Sequence, residues 1–540
     1  MNNIFCENKL TEYSKDALIG LILSQQQMLQ SQEQQLKDLN AKMDLLIEQV
    51  MLSRQKTFGR SSEKIDLDLE QQSIFLNEAE ALKANLYIPE PAIDEVTVNA
   101  HTRKKQVGKR EEDLKMLPVT IVEHYLSVEI LEQKLCDGWK QLPDEVYKRL
   151  VYNPPKWVVE EHHVGVYAGK DNQTIIKGDR PVELLRNSIL TPSLAAAIMN
   201  GKYVNALPLY RLEQEFLRQE ITIARQVMAN WMILLAERYF SLWHDRMHKE
   251  LLKWDVTQAD ETPVLVSKDG RDAGSKSYMW VYRTGKLYDA PSIILYEYQK
   301  TRETAHPKKF LAGYCGTVIT DGYEVYHKLA REEQDIQIAG CWSHARRPYA
   351  ELVKAAGKEK SKGTLAYDAL KLIGLIYKTD NELLESGLTP DELVAQRQLL
   401  VKPQVDAFFE WIKNHRAEVA PKSKTGKGFT YCLNQESYLR VFLSNGKVPL
   451  DNNATENAIR GFCIGKRNWK LIDTVNGAKS SAIIYSVAET AKANNLKPYE
   501  YFKHLLEEIP KHMDDKDQSF MDDLLPWSTA LPDNCKNSIL

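Results

Sequence analysis

The stretch 253–345 constrains the chain most, because its hydrophobic pattern changes period at regular intervals. WDVTQADETPVLVS, SYMWVYRTG and SIILYEYQ read as strands, the last two rich in β-branched and aromatic residues. ETAHPKKFLAGY reads as a short helix, GTVITDGYEVY as a strand running into a helix, and IQIAGCWSHARR as a strand and a loop. Residues 346–445 break this rhythm with helical patterns and no strand signal. Thr389 as N-cap, Pro390 at the first helical position and Glu392 closing a capping box mark one helix start there. Helical patterning returns at 451–461 and from about 478 to 509, and the end is mostly irregular.

Three strands, a helix, a strand, a helix and a strand match the order of a ribonuclease-H-like core. The expected fold is multidomain α/β, with that core spanning 251–350 and 449–500 around a helical insertion at 351–448. A C-terminal element fills 501–540.

Upstream, residues 16–54 carry a heptad seam of Leu18, Ile22, Gln25, Leu29, Gln32, Leu36, Leu39, Met43, Leu46 and Val50. Apolar residues at alternating three- and four-residue steps predict a coiled coil and a homodimer or higher assembly. The alternative is a helix packed on its own chain. Residues 55–112 read as a polar linker ending in HTRKKQVGKR, which is either solvated chain or a set of phosphate contacts. Strand-like segments follow in a small module at 113–178, and three or four helices at 179–250. YRLEQEFLRQEITIARQVMANWM reads either as a helix-turn-helix, its second helix capped near Thr222, or as part of a plain bundle.

No run approaches the roughly 20 apolar residues of a membrane span, and the N-terminus lacks a signal-peptide pattern. A cytoplasmic protein is expected. The seven cysteines are scattered and never spaced CxxC, which argues for reduced thiols. Net charge is −3, so attraction to nucleic acid must come from local clusters.

Three acidic residues stand out by position. Asp260 lies at or near the end of the first core strand, in TQADETP. Asp321 ends the strand GTVIT and precedes Gly322, and Glu456 opens a helix after Asn452 and Asn453, both good N-cap residues. In a ribonuclease-H-like sheet, neighbouring strand ends and one packed helix converge, and three carboxylates there repel unless a divalent cation sits between them. Hard oxygen ligands suit Mg²⁺ or Mn²⁺. Singly, each residue also has a plain reading: a turn before glycine, or a surface helix pair with Arg460.

The sequence resembles the large, TnpC-type transposases of the insertion-sequence 66 family. The matching stretches are FGRSSEK (58–64), LPLYRLEQEFLRQ (207–219), ADETPV (259–264), TDGYEVY (320–326), CWSHARRPY (341–349), DNNATENAIRGFCIGKRNW (451–469) and LLPW (524–527). The resemblance implies a leucine-zipper-like segment, a zinc-finger-like module, a helical DNA-binding region and a DDE core with a helical insertion. It assigns the catalytic, metal-holding triad to Asp260, Asp321 and Glu456. It further implies cleavage and strand transfer at the terminal inverted repeats of a mobile element and in target DNA. Two small accessory proteins of the same element and a bacterial, nucleoid-associated location follow from it as well. Members usually carry two cysteine pairs in the module after the linker. Here only Cys136 remains, and His162 and His163 are neighbours on a strand pattern, so they point apart and no zinc is expected. Packing by residues such as Ile121, Tyr125, Trp157, Val159 and Tyr167 must then hold the module.

Cations and an aromatic flank the carboxylate motifs: His344, Arg346 and Arg347, then Arg460, Lys466, Arg467 and Trp469. Around a cleft they would hold DNA phosphates. Lys422, Lys424 and Lys427 read as a basic loop in the insertion. His344 reads as a general acid/base, a phosphate contact or a structural hydrogen bond. The competing functions are a ribonuclease-H-like nuclease that cuts without joining and a domesticated, catalytically idle DNA-binding protein.

Overall fold

The computed structural model describes residues 14–58, 157–168, 175–272, 274–285, 287 and 291–537. The basic run at 101–110, most of the 113–178 module and Cys136 lie outside them. The chain divides into two units, one comprising 1–88 and 183–537, the other 89–182 with 538–540. In the smaller unit, strands β1 (Val166–Ala168) and β2 (Ile175–Lys177) form an antiparallel hairpin. Of the residues expected to pack the module, Ile121 and Tyr125 lie outside the described residues, and Trp157, Val159 and Tyr167 are 42%, 92% and 63% exposed among them. With so few paired residues there is no second layer in the described part to cover them. His162 and His163 pair instead with Glu160 and Glu161.

In the larger unit, α1 (Lys15–Phe58) is one continuous 44-residue helix. Ile22, Leu29, Leu39, Met43, Leu46 and Val50, all on the heptad seam, are more than half exposed. Glu48 nonetheless touches its own chain, accepting from Lys424 N–H at 2.8 Å and Thr425 Oγ1 at 2.7 Å. The helix thus touches its own chain through Glu48, while these six seam residues are exposed.

Helices α2 (Pro192–Met199), α3 (Leu209–Arg218), α4 (Arg225–Leu235) and α5 (Ser241–Leu251) precede the sheet. The second helix of the α3–α4 pair is capped at Ala224, not Thr222. Its free N-terminus is met by Glu213, which accepts from Arg225 N–H at 2.9 Å. A carboxylate from the preceding helix therefore does the work expected of a local hydroxyl.

The element order from 256 to 340 is the one read from the sequence. Strands β3 (Val256–Lys268), β4 (Lys276–Thr284) and β5 (Ile294–Gln299) are followed by α6 (Ala305–Phe310), β6 (Gly316–Thr320), α7 (Glu324–Glu332) and β7 (Ile336–Gly340). They form a mixed sheet in the order β5-β4-β3-β6-β7, with β8 (Ile472–Thr474) also on β3. The pairs β5-β4 and β4-β3 are antiparallel, and β3-β6 and β6-β7 are parallel. Antiparallel neighbours need no crossover helix between them, whereas α6 and α7 supply the crossovers that parallel pairing requires.

Past β7 come α8 (Trp342–Ala356), α9 (Leu365–Glu385), α10 (Pro390–Gln396), α11 (Lys402–His415) and α12 (Lys424–Asn434), helical as expected except that α8 already begins in WSHARR, the stretch read as a loop. The Thr389 box forms: Glu392 N–H donates to Thr389 Oγ1, and Glu392 Oε2 accepts from Thr389 N–H at 2.9 Å. The stretch read as a basic loop is instead the start of α12, capped by Ser423, because that hydroxyl accepts from Gly426 N–H and nucleates the turn. Two apolar cores flank the sheet. One joins residues 184–251, much of the sheet, the helices after 453 and the C-terminal element, so these expected divisions share one core. Trp243 Nε1–H donating to Tyr501 OH at 2.8 Å ties its two ends together. The other core belongs to the insertion and reaches the sheet through Val256, Ile319 and Ala339. Inside it, fully buried Arg397 forms a two-bond pair with Asp380 and donates to the carbonyls of Phe442, Asn445 and Val448. Those carbonyls belong to the segment that leads back to the sheet.

Candidate active site

Asp260 is the fifth residue of β3, not its end. The shared ladder with β6 is what ends here. Val256 pairs with Thr317 and Gln258 with Ile319, an offset of 317 − 256 = 61 residues, while β6 stops at Thr320. The same offset carries Asp260 to 321, so the two aspartates lie level at the point where β3 continues past its parallel neighbour. One oxygen each from Asp260, Glu261 and Asp321 lie within 4.8 Å of one another.

Gly322 has φ +86°, which only glycine adopts at little cost, and an added Cβ would meet Tyr431 and Gln435 at 3.0 Å. The insertion thus covers this turn: Tyr431 OH donates to the Asp321 carbonyl at 2.7 Å. Asp321 Oδ1 accepts from Tyr323 N–H at 2.9 Å, which folds the side chain back over the turn.

Glu456 arrives on α13 (Asn453–Trp469). Asn452 is the cap residue, yet its side chain does not cap; Nδ2 donates to the Ala259 carbonyl of β3 at 3.0 Å. Asp451 takes the capping role, with Oδ1 accepting from Asn453 N–H at 3.1 Å. Thr455 Oγ1 donates to Gln258 Oε1 at 3.0 Å, and Arg283 donates to the Ala454 carbonyl at 2.9 Å. The even-numbered face of β3, with Gln258, Asp260 and Thr262, is therefore the one under α13. The start of α13 is also bonded to that of α8, through Ser343 Oγ to Asn453 Oδ1 and Asn452 N–H to Cys341 Sγ. This pairing sets Arg347 Nη2 2.9 Å and His344 Nε2 3.6 Å from Glu456 Oε1.

The electrostatics follow from the crowding. Burial pushes the Asp260 carboxyl well above the usual range, and the charges of Glu261, Asp321 and Glu456 push it further. The Glu261 N–H at 2.8 Å opposes them only in part. Burial holds His344 below the ordinary imidazole value, and Arg347 adds to that, while Glu456 and Asp321 work the other way. Four carboxylates with so few cations form an unfavourable set of neighbours, and their donors are all hard oxygens. That chemistry fits a divalent ion such as Mg²⁺ or Mn²⁺.

Of the flanking residues read as DNA contacts, Arg347 and His344 face Glu456. Arg346 turns inward, its Nε enclosed and its guanidinium lowered by burial. Arg460 donates to Asn457 Oδ1, and Lys466 Nζ donates to the Pro263 carbonyl at 3.0 Å. Arg467 is exposed. Trp469 packs edge-on against Phe462 at 5.6 Å between centroids, so its ring is engaged with the core. Sequence reasoning missed Glu261, Arg302, Tyr326 and Tyr431; of these only Glu261, beside Asp260 in ADETP, gave any signal.

Comparison with known proteins places the chain in a family. The family model described as Transposase IS66 family matches residues 187–480, more than half of the chain. The IS66 C-terminal element matches 486–527, and a model described as Transposase C of IS166 homeodomain matches 45–122, across the stretch read as a linker. Among similar proteins, the uncharacterized protein y4qI of Sinorhizobium fredii is 26% identical over 414 residues, 74% of this chain and 75% of its own. The uncharacterized protein y4hP of the same organism is 26% identical over 492 residues, 88% and 86% of the two chains. Among the described residues, no helix is long and apolar enough to cross a membrane. With the family model spanning the sheet, both carboxylate motifs and the insertion, the chain belongs to the IS66 family of transposases.

Proposed function

We propose that this chain binds the ends of its mobile element and catalyses metal-dependent DNA strand cleavage and strand transfer. The observation that carries the reading is the convergence of Asp260 and Asp321 oxygens where the β3–β6 ladder ends, with α13 stapled across the same face. The sheet order and the β-β-β-α-β-α-β sequence support a ribonuclease-H-like core. Asp260, Asp321 and Glu456 would hold Mg²⁺ or Mn²⁺, which activates an attacking hydroxyl and stabilises the leaving oxygen in phosphodiester chemistry. Arg347 pairs with the Glu456 carboxylate, and the His344 imidazole, held neutral by burial, lies 3.6 Å from the same oxygen. With that carboxylate engaged on a metal, the Arg347 guanidinium would be free to meet a phosphate, with His344 beside it as a neutral hydrogen-bonding group. The exposed heptad seam of α1 supports pairing of two copies, which brings two DNA ends together.

Incubation of the purified protein with the element's own end DNA and Mg²⁺, followed by strand mapping, tests this. Cleavage with joining is expected. Asp260→Asn, Asp321→Asn or Glu456→Gln should each abolish cleavage while DNA binding persists. Cutting without joining would favour the nuclease reading, and binding without any cutting in Mg²⁺ or Mn²⁺ the idle DNA-binding one.

A further inference from the structure

Glu261 lies close enough to Asp260 and Asp321 to look like a fourth metal ligand. Its bonds argue otherwise. Strand alternation turns it to the face of the sheet opposite α13. There both oxygens are taken: Oε1 accepts from Arg302 Nε at 2.6 Å and from Arg302 Nη2, and Oε2 from Tyr326 OH at 2.7 Å. The side chain is 1% exposed. Arg302, in the turn after β5, lays its guanidinium 3.5 Å from the centroid of the Tyr323 ring and 3.9 Å from Asp321 Oδ2. Tyr323 in turn holds Asp321 Oδ1 through its N–H. A continuous set of contacts runs from β3, through Glu261, Arg302 and Tyr323, to the Asp321 carboxylate.

We propose that Glu261 is an anchor, not a ligand, and that Arg302 is a positioning residue fixing Asp321 level with Asp260. The inference rests on the metal-dependent reading above. Asp321 follows the end of a strand and precedes a glycine at positive φ, so the turn alone leaves it loosely held. Stacking Tyr323 under a guanidinium that is itself forked onto a buried carboxylate removes that freedom. Lysine has neither the planar fork nor the stacking face and cannot make both contacts.

A simple counter-charge would behave differently. Removing a counter-charge leaves the site more negative, so a divalent ion binds more tightly. Removing a positioning contact releases Asp321, so the ion binds more weakly. Mn²⁺ binding to the full-length protein, read by electron paramagnetic resonance, separates the two. Arg302→Met and Arg302→Lys are both expected to weaken Mn²⁺ binding about tenfold, and Glu261→Gln less than Asp321→Asn. Equal or tighter binding by Arg302→Met, or full recovery by Arg302→Lys, overturns the positioning role. Glu261→Gln as damaging as Asp321→Asn makes Glu261 a ligand and overturns the anchor role. Should Arg302→Met fail to fold, Arg302→Lys, which keeps a cation beside Glu261, decides alone. Wild-type protein lacking Mn²⁺ binding that depends on Asp260 refutes the metal-dependent reading itself, and this inference with it.

Discussion

If the acidic cluster is held for a cation, removing one of its charges must stabilise the metal-free protein. Asp260→Asn is the cleanest perturbation, because the amide is isosteric and its oxygen can still accept from Glu261 N–H. Two unit charges 4.8 Å apart repel by about 3–4 kcal/mol at an effective dielectric near 20. Part of that is already relieved in the wild type, whose Asp260 carboxyl is pushed upward and binds a proton more readily. A gain of about 1–3 kcal/mol for the variant in EDTA is therefore expected. Metal reverses the order. A ligand at a hundred times its Kd stabilises the wild type by about 2.7 kcal/mol, while the variant, lacking a ligand, gains little. For a cooperative unit of this size each kcal/mol moves Tm by roughly 1–2 °C. Thermal unfolding followed by tryptophan fluorescence, in EDTA and in Mn²⁺, should show curves that cross. A variant less stable than wild type in EDTA, together with no Mn²⁺ effect on either, would refute the reasoning.

Other consequences concern the frame. His244, half-buried with Nε2 3.2 Å from the Tyr296 carbonyl, is pushed down to about 4 by burial. Its folded value lies below the ordinary 6.5, so stability is present above pH 6.5 and falls by about 3 kcal/mol as pH drops toward 4; His244→Gln should flatten that slope in urea titrations. Glu297 is pushed the other way, to about 7, by burial that leaves Oε2 without a partner. Stability is then complete below pH 4.5 and lost as pH rises through 7, so Glu297→Gln should raise the urea midpoint at pH 8 and leave it unchanged at pH 4. Arg397→Met leaves Asp380 buried and alone and should cost about 3–5 kcal/mol. Replacing both partners by apolar residues should not recover the loss, because three backbone carbonyls also depend on Arg397; recovery in the double variant would show that those bonds contribute nothing.

What was legible in the sequence was what local periodicity encodes. The β-branched strands, the Thr389 box and the helical insertion each announce themselves within about a dozen residues. The 61-residue spacing of the aspartates turns out to be the register offset of β3 and β6, so strand-end reasoning found the pair although it misjudged where β3 stops. It misjudged because β4 and β8 hold the strand beyond β6, and partner strands are not written in the strand itself. Long-range hydrogen bonds were equally hidden. Arg302 sits in KTRETAH, where nothing repeats, and acquires meaning only when β3 and α7 bring Glu261 and Tyr323 to it. Asn452 looked like a cap because its type favours caps, yet a neighbouring carbonyl of β3 draws its amide away and Asp451 takes its place. Tyr431 and Arg397 reach the two sides of the candidate site from inside the insertion, one at the Asp321 carbonyl and the other at the segment leading to Glu456. An insertion joined to the site at both points acts on the geometry of the carboxylates, and substitutions within it should alter metal affinity before they alter DNA binding.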